Sequence, residues 1–350
     1  MTAQGTMKRL PRNPVKFDIF AAFAQFAATH GLSIRDPQAL ERFKDAVLDE
    51  TERSLDNNIF VYGFRVQTMF ETVVAALGDV KMIKQEDAGN AYLTGDFEVP
   101  DYRLVLQDGK QILVEVKNYN QKHAFDAFEQ DVAYLQRLEA YAALTGAELL
   151  VAVYWLKWNM WTLVSPRAFV PDGDVAKLEL GAAMKTNQMR RLGDHMIATR
   201  SPLRFRIEVD ELSRDGDERQ LVIKQIDMYC DEQHLVNPVE RKIASAIMFH
   251  GSWRERELLE ECDSKLVAIE YQYAPDEEMR FQEEQGFDIV GAVSSIVSKF
   301  YRQGTAQDGA VHGFHVDFTP GEFGRLIPKD YFEREHALRL WRFELQHAES

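Results

Sequence analysis

The stretch from Pro100 to Lys117, PDYRLVLQDGKQILVEVK, constrains the fold of this 350-residue chain more than any other. Two runs that alternate apolar and polar residues flank an Asp-Gly turn, which is the pattern of a β-hairpin. The apolar positions are Tyr102, Leu104 and Leu106 on the first run and Ile112, Val114 and Val116 on the second. Both sets reach one buried face only if the loop has an odd number of residues, such as three with Gly109 at positive φ.

This register decides where the charged residues of the hairpin lie. A two-residue loop at Asp108-Gly109 would set Asp101 opposite Val116, on the wrong face. An odd loop sets Asp101 opposite Glu115 or Lys117, and these two share a face because side chains two positions apart in a strand point the same way. Core packing and site assembly therefore require the same register.

The residues on that polar face have a specific chemistry. Asp101 and Glu115 offer carboxylate oxygens, which suit Mg²⁺ or Mn²⁺, and the backbone carbonyl of Val116 is a third candidate ligand. Lys117 beside them would position or activate an attacking water and stabilise charge on a phosphate. Such an arrangement hydrolyses phosphodiester bonds.

With these residues the sequence resembles the PD-(D/E)XK nuclease superfamily. The matching pattern is Pro100-Asp101, then thirteen residues, then Glu115-Val116-Lys117. The resemblance implies a metal-dependent nuclease with a restriction-endonuclease-like core. Two alternatives stay open: the hairpin is an ordinary exposed one with a charged end, or Asp96 or Glu98 replaces Asp101 as ligand.

Two flanking motifs extend the resemblance. Phe70-Glu71 resembles the helix motif of the type IV restriction and Holliday-junction-resolving branches, which implies that Glu71 supports the metal. Gln130 and Tyr134 resemble the Gln-x-x-x-Tyr motif of the RecB-like branch, which implies contacts to the substrate strand. Their spacing of four residues fits one face of a predicted helix over 124–144.

The order of predicted elements is helix, strand, hairpin, helix, strand, strand. It indicates an α/β fold whose restriction-endonuclease-like mixed sheet is flanked by helices. We expect an N-terminal arm with helices over 1–57, the nuclease-like core over 58–166, a β-rich extension over 167–237 and a C-terminal α+β domain over 238–350. In the last segment the apolar spacing predicts helices over 253–262, 287–301 and 331–346.

Four further residues are candidates for substrate contacts. Asn118 and Lys122 follow the Glu-x-Lys strand directly and are expected to reach a phosphate or the scissile strand. Arg190 and Arg191 belong to the most basic stretch of the chain, over 185–206, and are nominated as contacts to the nucleic-acid backbone.

Charge limits the partner classes. The formal net charge is −15, which disfavours a tight DNA binder acting alone but permits a local basic groove. We expect a nucleic acid as the partner, with DNA as the first choice. Two further predictions are a protein partner that binds through the C-terminal domain and a homodimer. The rival hypothesis is a non-catalytic nuclease-fold subunit that binds or regulates within a DNA-processing or defence complex.

The remaining composition points to a compartment. No apolar run approaches the ~20 residues of a membrane span, and the N-terminus has no signal-peptide core. Cys230 and Cys262 lack the number and spacing of a zinc site and fit a reducing compartment. The sequence-based expectation is a cytoplasmic protein without a membrane partner.

Overall fold

The computed structural model describes residues 14–86, 95–216, 218–276 and 285–343. The predicted N-terminal arm lies outside these residues. Within them the chain forms seven α-helices: α1 (Pro14–Thr29), α2 (Pro37–Asp56), α3 (Asn58–Leu77), α4 (Val132–Thr145), α5 (Leu180–Lys185), α6 (Pro238–His250) and α7 (Val293–Gly304).

The strands of the core and of the extension are β1 (Val80–Gln85), β2 (Tyr102–Leu106), β3 (Gln111–Tyr119), β4 (Phe128–Asp131), β5 (Glu148–Trp155), β6 (Met160–Val164), β7 (Val170–Asp172), β8 (Val175–Leu178), β9 (Met196–Thr199), β10 (Leu203–Asp215), β11 (Glu218–Cys230) and β12 (Gln233–His234). Those of the C-terminal segment are β13 (Arg254–Cys262), β14 (Lys265–Ala274), β15 (Asp288–Ala292), β16 (Ala306–Gln307), β17 (Ala310–Val311) and β18 (Leu340–Phe343).

The central sheet has five strands in the order β1-β2-β3-β5-β6. The pair β3 and β5 is parallel, and the other neighbours are antiparallel. The crossover from β3 to β5 contains α4, as a parallel connection requires. The predicted α/β fold with a mixed sheet flanked by helices is confirmed.

The hairpin of β2 and β3 has the predicted odd loop. Tyr102 pairs with Val114 and Leu104 with Ile112, and the Leu106 N–H donates to the Lys110 carbonyl at 2.9 Å. Three residues, 107–109, therefore form the loop, and Gly109 has φ +90°. A residue with a Cβ adopts that region only at a cost, so glycine permits the turn that sets the register.

The two faces of the sheet bury separate cores. Ile112, Val114 and Val116 of β3 belong to a large core that also contains residues of α3, α6 and α7. Leu113 belongs to a second core, formed with residues of β5 and α4 and of the three-stranded sheet β4-β8-β7. Strand β3 is thus covered on both sides by apolar layers, as expected for a central strand.

The extension and the C-terminal segment share sheets. One five-stranded antiparallel sheet has the order β12-β11-β10-β14-β13, and a three-stranded sheet has the order β15-β9-β18. Strands from both sides of residue 237 therefore pair with one another. The division into segments remains a sequence-based prediction, while the α+β content of 238–343 is observed.

Three predicted helices differ in the structure. Residues 128–131 form β4, paired with β8, so the helix before β5 begins only at Val132. Residues 254–262 form β13, an edge strand along β14. Residues 331–333 form one 3-10 turn and 340–343 form β18, while 344–346 lie outside the described residues. Pairing with another strand overrides local helix propensity in β4, β13 and β18; the partner of β13 is the next strand along the chain, across the turn at Asp263 and Ser264.

The predicted apolar helix over 287–301 is divided. Its first residues form β15, paired with β9, and only the residues from Val293 onward form α7. Asp194 accepts hydrogen bonds from the backbone N–H and the hydroxyl of Ser294 at 2.9 and 2.5 Å. These bonds satisfy donors of the first helical turn.

The C-terminal end of α3 is closed by the C-terminal segment. The Gly321 N–H donates to the Ala75 carbonyl at 2.7 Å, and the N–H groups of Phe323 and Gly324 donate to the Ala76 carbonyl at 3.1 Å. The last carbonyls of a helix have no partner within it, so this segment satisfies them. Among the helices within the described ranges, none is both long and apolar enough to cross a membrane.

The close approach at α3 leads to a stability prediction. A Cβ on Gly324 would collide with the carbonyl oxygen of Leu77, so Gly324→Ala should lower the free energy of unfolding by more than about 2 kcal/mol. The matched control is Gly181→Ala, at a helical glycine with open space around it, where a change of about 1 kcal/mol or less is expected. Urea denaturation measures both, and equal effects would contradict the packing.

Candidate active site

Asp101 lies at the entry to β2, where two hydrogen bonds hold its carboxylate. The backbone N–H of Val116 donates to Oδ2 at 2.7 Å, and the Gln67 side-chain amide donates to Oδ1 at 2.7 Å. The Asp101 carbonyl turns the other way and accepts the Glu86 N–H at 2.9 Å. The carboxylate therefore faces β3, between β3 and α3.

The hairpin alternation explains why Asp101 and Glu115 come close. Continued beyond Tyr102, it makes Asp101–Glu115 a non-hydrogen-bonded pair, the type in which opposite side chains approach most closely. The next pair would be Pro100 with Val116, but proline has no N–H to donate. The Val116 carbonyl, which points to the same side as its N–H, therefore receives no ladder bond from Pro100.

Glu115, Lys117 and Tyr134 form one connected group. Glu115 Oε1 accepts from Lys117 Nζ at 2.7 Å and from the Tyr134 hydroxyl at 2.7 Å. Lys117 Nζ also lies 3.3 Å from the Tyr134 oxygen and 4.5 Å from the centre of its ring. Glu115 is only 3% exposed, so an unpaired charge there would be costly.

Tyr134 is placed by the helix cap before it. Asp131 accepts the Tyr134 N–H at 2.6 Å as the N-cap of α4. A cap of this kind fixes the first turn of a helix, and the first turn of α4 carries the ring that contacts Glu115 and Lys117. Burial, and next the charge of Glu115, raise the pKa of the Tyr134 phenol, which keeps the hydroxyl a donor.

The surroundings of Asp101 disfavour its charged form. Burial, followed by the negative charge of Glu115, raises the pKa of Asp101 to about 7. The Val116 N–H and Lys117 act in the opposite direction without cancelling this effect. One ammonium group therefore does not neutralise two carboxylates at this site.

The donor set fits a hard divalent cation. The described residues contain no cluster of three or more His, Cys, Asp or Glu side chains that could hold a metal ion. The group here consists instead of the Asp101 and Glu115 carboxylates with the Val116 carbonyl, all oxygen donors of the kind that Mg²⁺ and Mn²⁺ prefer. A positive ion between them would also offset the repulsion between the two carboxylates.

Helix α3 contributes a residue that sequence reasoning missed. The contact to Asp101 comes from Gln67, one turn before the predicted Glu71. Glu71 lies on the same face of α3. Burial raises the pKa values of the nearby Tyr102 and Tyr301 phenols, and the charge of Glu71 adds to this effect. The helical spacing of four residues between Gln67 and Glu71 was the available signal.

The other residues predicted to contact the substrate lie in different parts of the structure. Gln130 lies on β4, opposite Ala176 of β8, so it does not share a helix face with Tyr134. Asn118 lies on β3 next to Lys117 and therefore on the opposite face of the strand. Lys122 is exposed on the loop that follows β3.

Arg190 and Arg191 lie at the other end of the sheet. Arg191 forms a paired contact with Glu148, at 2.8 and 3.1 Å, at the start of β5. Glu148 is opposite Ile112, five residues before Lys117, or about 17 Å along the strand. Both arginines line a cavity of about 490 Å³ together with Arg167 and Gln188. The structure does not bring them to the hairpin carboxylates.

The rival carboxylates are also placed. Glu98 forms an ion pair with Arg137 of α4 at 3.7 Å, and the Arg137 guanidinium lies 5.7 Å from the centre of the Tyr134 ring. Asp96 is exposed before the hairpin. Glu98 therefore borders the group at Tyr134, while Asp101 is bonded to β3 itself.

Comparison with known proteins yields only a weak structural likeness. No family model matches the chain, and no curated protein matches it. Among solved structures it is similar to Hjc, a Holliday junction resolvase from the archaeal hyperthermophile Archaeoglobus fulgidus, with a TM-score of 0.30 and 16% identity over 38% of this chain and 96% of that chain. At these values the likeness establishes neither family nor function.

The burial of Asp101 leads to a pH prediction. Its pKa is about 7 in the folded chain, against an ordinary 3.8, so the folded state binds more protons between these values and loses stability as pH rises from about 4 to 7. With EDTA present, Asp101→Asn should stabilise the protein at pH 8 by on the order of 1–3 kcal/mol. The gain should shrink below pH 7 and vanish near pH 4.

The control for this experiment is Asp108→Asn, at the exposed tip of the same hairpin. The Lys110 N–H holds the pKa of Asp108 below its usual value, so the substitution should not stabilise the protein at pH 8. Urea denaturation at several pH values measures both variants. A loss of stability in Asp101→Asn at pH 8 would contradict the described environment.

Proposed function

We propose that this protein is a metal-dependent nuclease that hydrolyses phosphodiester bonds of nucleic acid, with DNA as the expected substrate. The observation that carries the proposal is that Asp101, Glu115 and Lys117 lie close together at one end of the hairpin. The carboxylates are bonded to Val116 and to Lys117 respectively, each at 2.7 Å. Two carboxylates with a lysine are the groups that metal-assisted phosphodiester hydrolysis requires.

Each residue has a defined part in this proposal. Asp101, Glu115 and the Val116 carbonyl would hold Mg²⁺ or Mn²⁺, which supplies Lewis-acid polarisation of the phosphate and a lowered pKa of bound water. Lys117 would position the attacking water and stabilise negative charge on the phosphate. Tyr134 and Gln67 would orient Glu115 and Asp101 through their hydrogen bonds. Glu71 would support the metal from α3.

Substrate contacts around this centre are proposed separately. Lys122, on the exposed loop after β3, is suited to contact a phosphate near the cut bond. Asn118, Gln130, Arg190 and Arg191 were nominated from sequence, and their positions fit only more distant contacts. A protein partner that supplies affinity for DNA is part of the same proposal and rests on the net charge of −15. A homodimer and a role in defence are proposed only by analogy with the superfamily that the sequence resembles.

Substitution of the central residues tests the proposal. Lys117→Ala and Asp101→Asn should each reduce Mg²⁺-dependent cleavage of labelled DNA by at least about 100-fold, because each removes a group that acts at the reacting phosphate. Lys110→Ala, at the exposed tip of the same hairpin, is the matched control and should cleave normally. EDTA should abolish cleavage by all forms.

Cleavage that persists in both Lys117→Ala and Asp101→Asn would refute the assignment. Calorimetry with Mn²⁺ provides the second measurement, in which the native protein should bind the ion and Asp101→Asn should lose at least about tenfold in affinity. Binding of Mn²⁺ and DNA by the native protein without any cleavage would favour the rival hypothesis of a non-catalytic subunit.

A further inference from the structure

An exposed aromatic ring lies on the loop that leaves β3. Phe125 is 75% exposed, more than any other aromatic side chain among the residues that the structure describes. Single exposed apolar residues are common on protein surfaces and alone indicate nothing. The position and the anchoring of this loop, residues 120–127, and the basic side chains around its ring distinguish it.

The loop is anchored on both sides of the ring. The His123 N–H donates to Asp126 Oδ2 at 2.8 Å, and the Tyr119 hydroxyl donates to the Ala127 carbonyl at 2.7 Å. Gln121, 2% exposed, accepts the Lys157 N–H at 3.2 Å. These contacts anchor the backbone on both sides of Phe125. The ring is therefore exposed on an anchored loop.

A second aromatic ring supports the first. Trp158 belongs to the 3-10 turn Leu156–Trp158 that follows β5. Its indole N–H donates to the Ala124 carbonyl at 2.7 Å, and its ring centre lies 5.5 Å from that of Phe125 at an angle of 50°. The Phe125 ring, packed at an angle against Trp158 and open to solvent, therefore offers a flat apolar face on which another planar group can stack.

This surface lies on the face and at the strand end where the carboxylates are. Tyr119 shares a strand face with Lys117 and lies two residues later, about 7 Å along β3. Tyr119 and Trp158 both pack against the second core, on the Glu115 side of the sheet. The ring pair therefore lies beyond the Tyr119 end of β3, on the same side of the sheet as Glu115 and Lys117.

The charge around the rings suits a phosphate backbone. Lys122, His123 and Lys157 are exposed around the ring pair, and the Lys157 ammonium donates to the Lys122 carbonyl. Asp126, the acidic residue of the loop, is bonded to the His123 N–H. The formal charges of Lys122 and Asp126 cancel within residues 120–127, and Lys157 of the adjoining turn adds one positive charge. Aromatic rings beside basic side chains are features with which proteins bind single-stranded nucleic acid.

We propose that Phe125, supported by Trp158, stacks on an unpaired base next to the phosphodiester that the nuclease site cuts. The inference rests on the proposed nuclease function and specifies its substrate class: nucleic acid that is single-stranded or unpaired at the cut position. Lys122 contacts the adjoining phosphate. A paired base within a duplex does not offer its flat face to the ring, so fully paired DNA lacks this contact.

Binding measurements test the inference. The probes are a fluorescein-labelled single-stranded DNA of about 20 nucleotides and its duplex. Anisotropy is measured with Mg²⁺ in the Lys117→Ala background, which is expected not to cleave. Phe125→Ala should weaken single-strand binding by roughly 5- to 100-fold, the range for loss of one base–aromatic stack, and leave duplex binding nearly unchanged. Phe125→Trp should retain single-strand binding, whereas Phe125→Leu should not.

Two controls separate stacking from other effects. Phe332→Ala, at an exposed ring in the C-terminal segment, should change neither affinity. Lys122→Ala should weaken binding to both probes and lower the slope of log affinity against log salt by about 1, as expected for a phosphate contact. Phe125 is mostly exposed, so its truncation should preserve the fold, which circular dichroism checks.

The outcomes are distinct. Unchanged single-strand affinity in Phe125→Ala, an equal loss for both probes, or full binding by Phe125→Leu would overturn the stacking inference. Cleavage by the native protein together with any of these results leaves the nuclease proposal standing. Absence of both binding and cleavage refutes the two together, and Phe125-dependent single-strand binding without cleavage supports the stacking surface and refutes the nuclease.

Discussion

The hydrogen bond from the Val116 N–H to the Asp101 carboxylate joins the two hairpin strands where their backbone ladder ends. It forms because the three-residue turn at 107–109 aligns Asp101 with Glu115 and so places the Asp101 carboxylate beside Val116. A slip of one residue would turn the apolar residues of one strand away from the large core and move Asp101 out of line with Glu115. Packing of the large core therefore maintains the geometry of the candidate site.

The described side chains of this site carry more negative than positive charge when both carboxylates are ionised. Glu115 is nearly fully buried, Asp101 is held beside it, and Lys117 carries the only ammonium bonded to the pair within the described residues. Tyr134 and Gln67 add neutral donors that orient the carboxylates without balancing their charge. A buried group with surplus negative charge costs folding stability. In the proposed function a bound cation would balance this negative charge, so the cost in folding stability would serve the site.

Residue patterns within short stretches of the sequence predict those features of the fold that depend on local structure. Residue types that favour helix ends stand at such ends in the structure: Asp36 caps α2, Asn57 caps α3, and Gly78 ends α3 in the left-handed region. The hairpin register followed from apolar alternation alone. Strands β4 and β13 were predicted as helix because Glu, Gln, Leu and Arg favour helices, and only pairing with β8 and β14 makes them strands. Gln67 was missed for a related reason: which of two residues on one helix face reaches Asp101 depends on how α3 packs on the sheet.

Helix α3 connects the candidate site with the C-terminal segment. At its centre Gln67 holds Asp101, and one half-turn earlier Arg65 bonds the Thr305 hydroxyl at 2.8 Å and the Arg302 carbonyl at 2.9 Å at the end of α7. At its C-terminus, N–H groups of the 321–324 segment donate to the last carbonyls of α3 and so cap the helix. Because a packed helix moves as a unit, a shift of α7 or of that segment relative to the sheet would displace the Gln67 amide from Asp101. The C-terminal segment thus contacts the helix that holds Asp101 and supports the carboxylates through α3, although it supplies none of them.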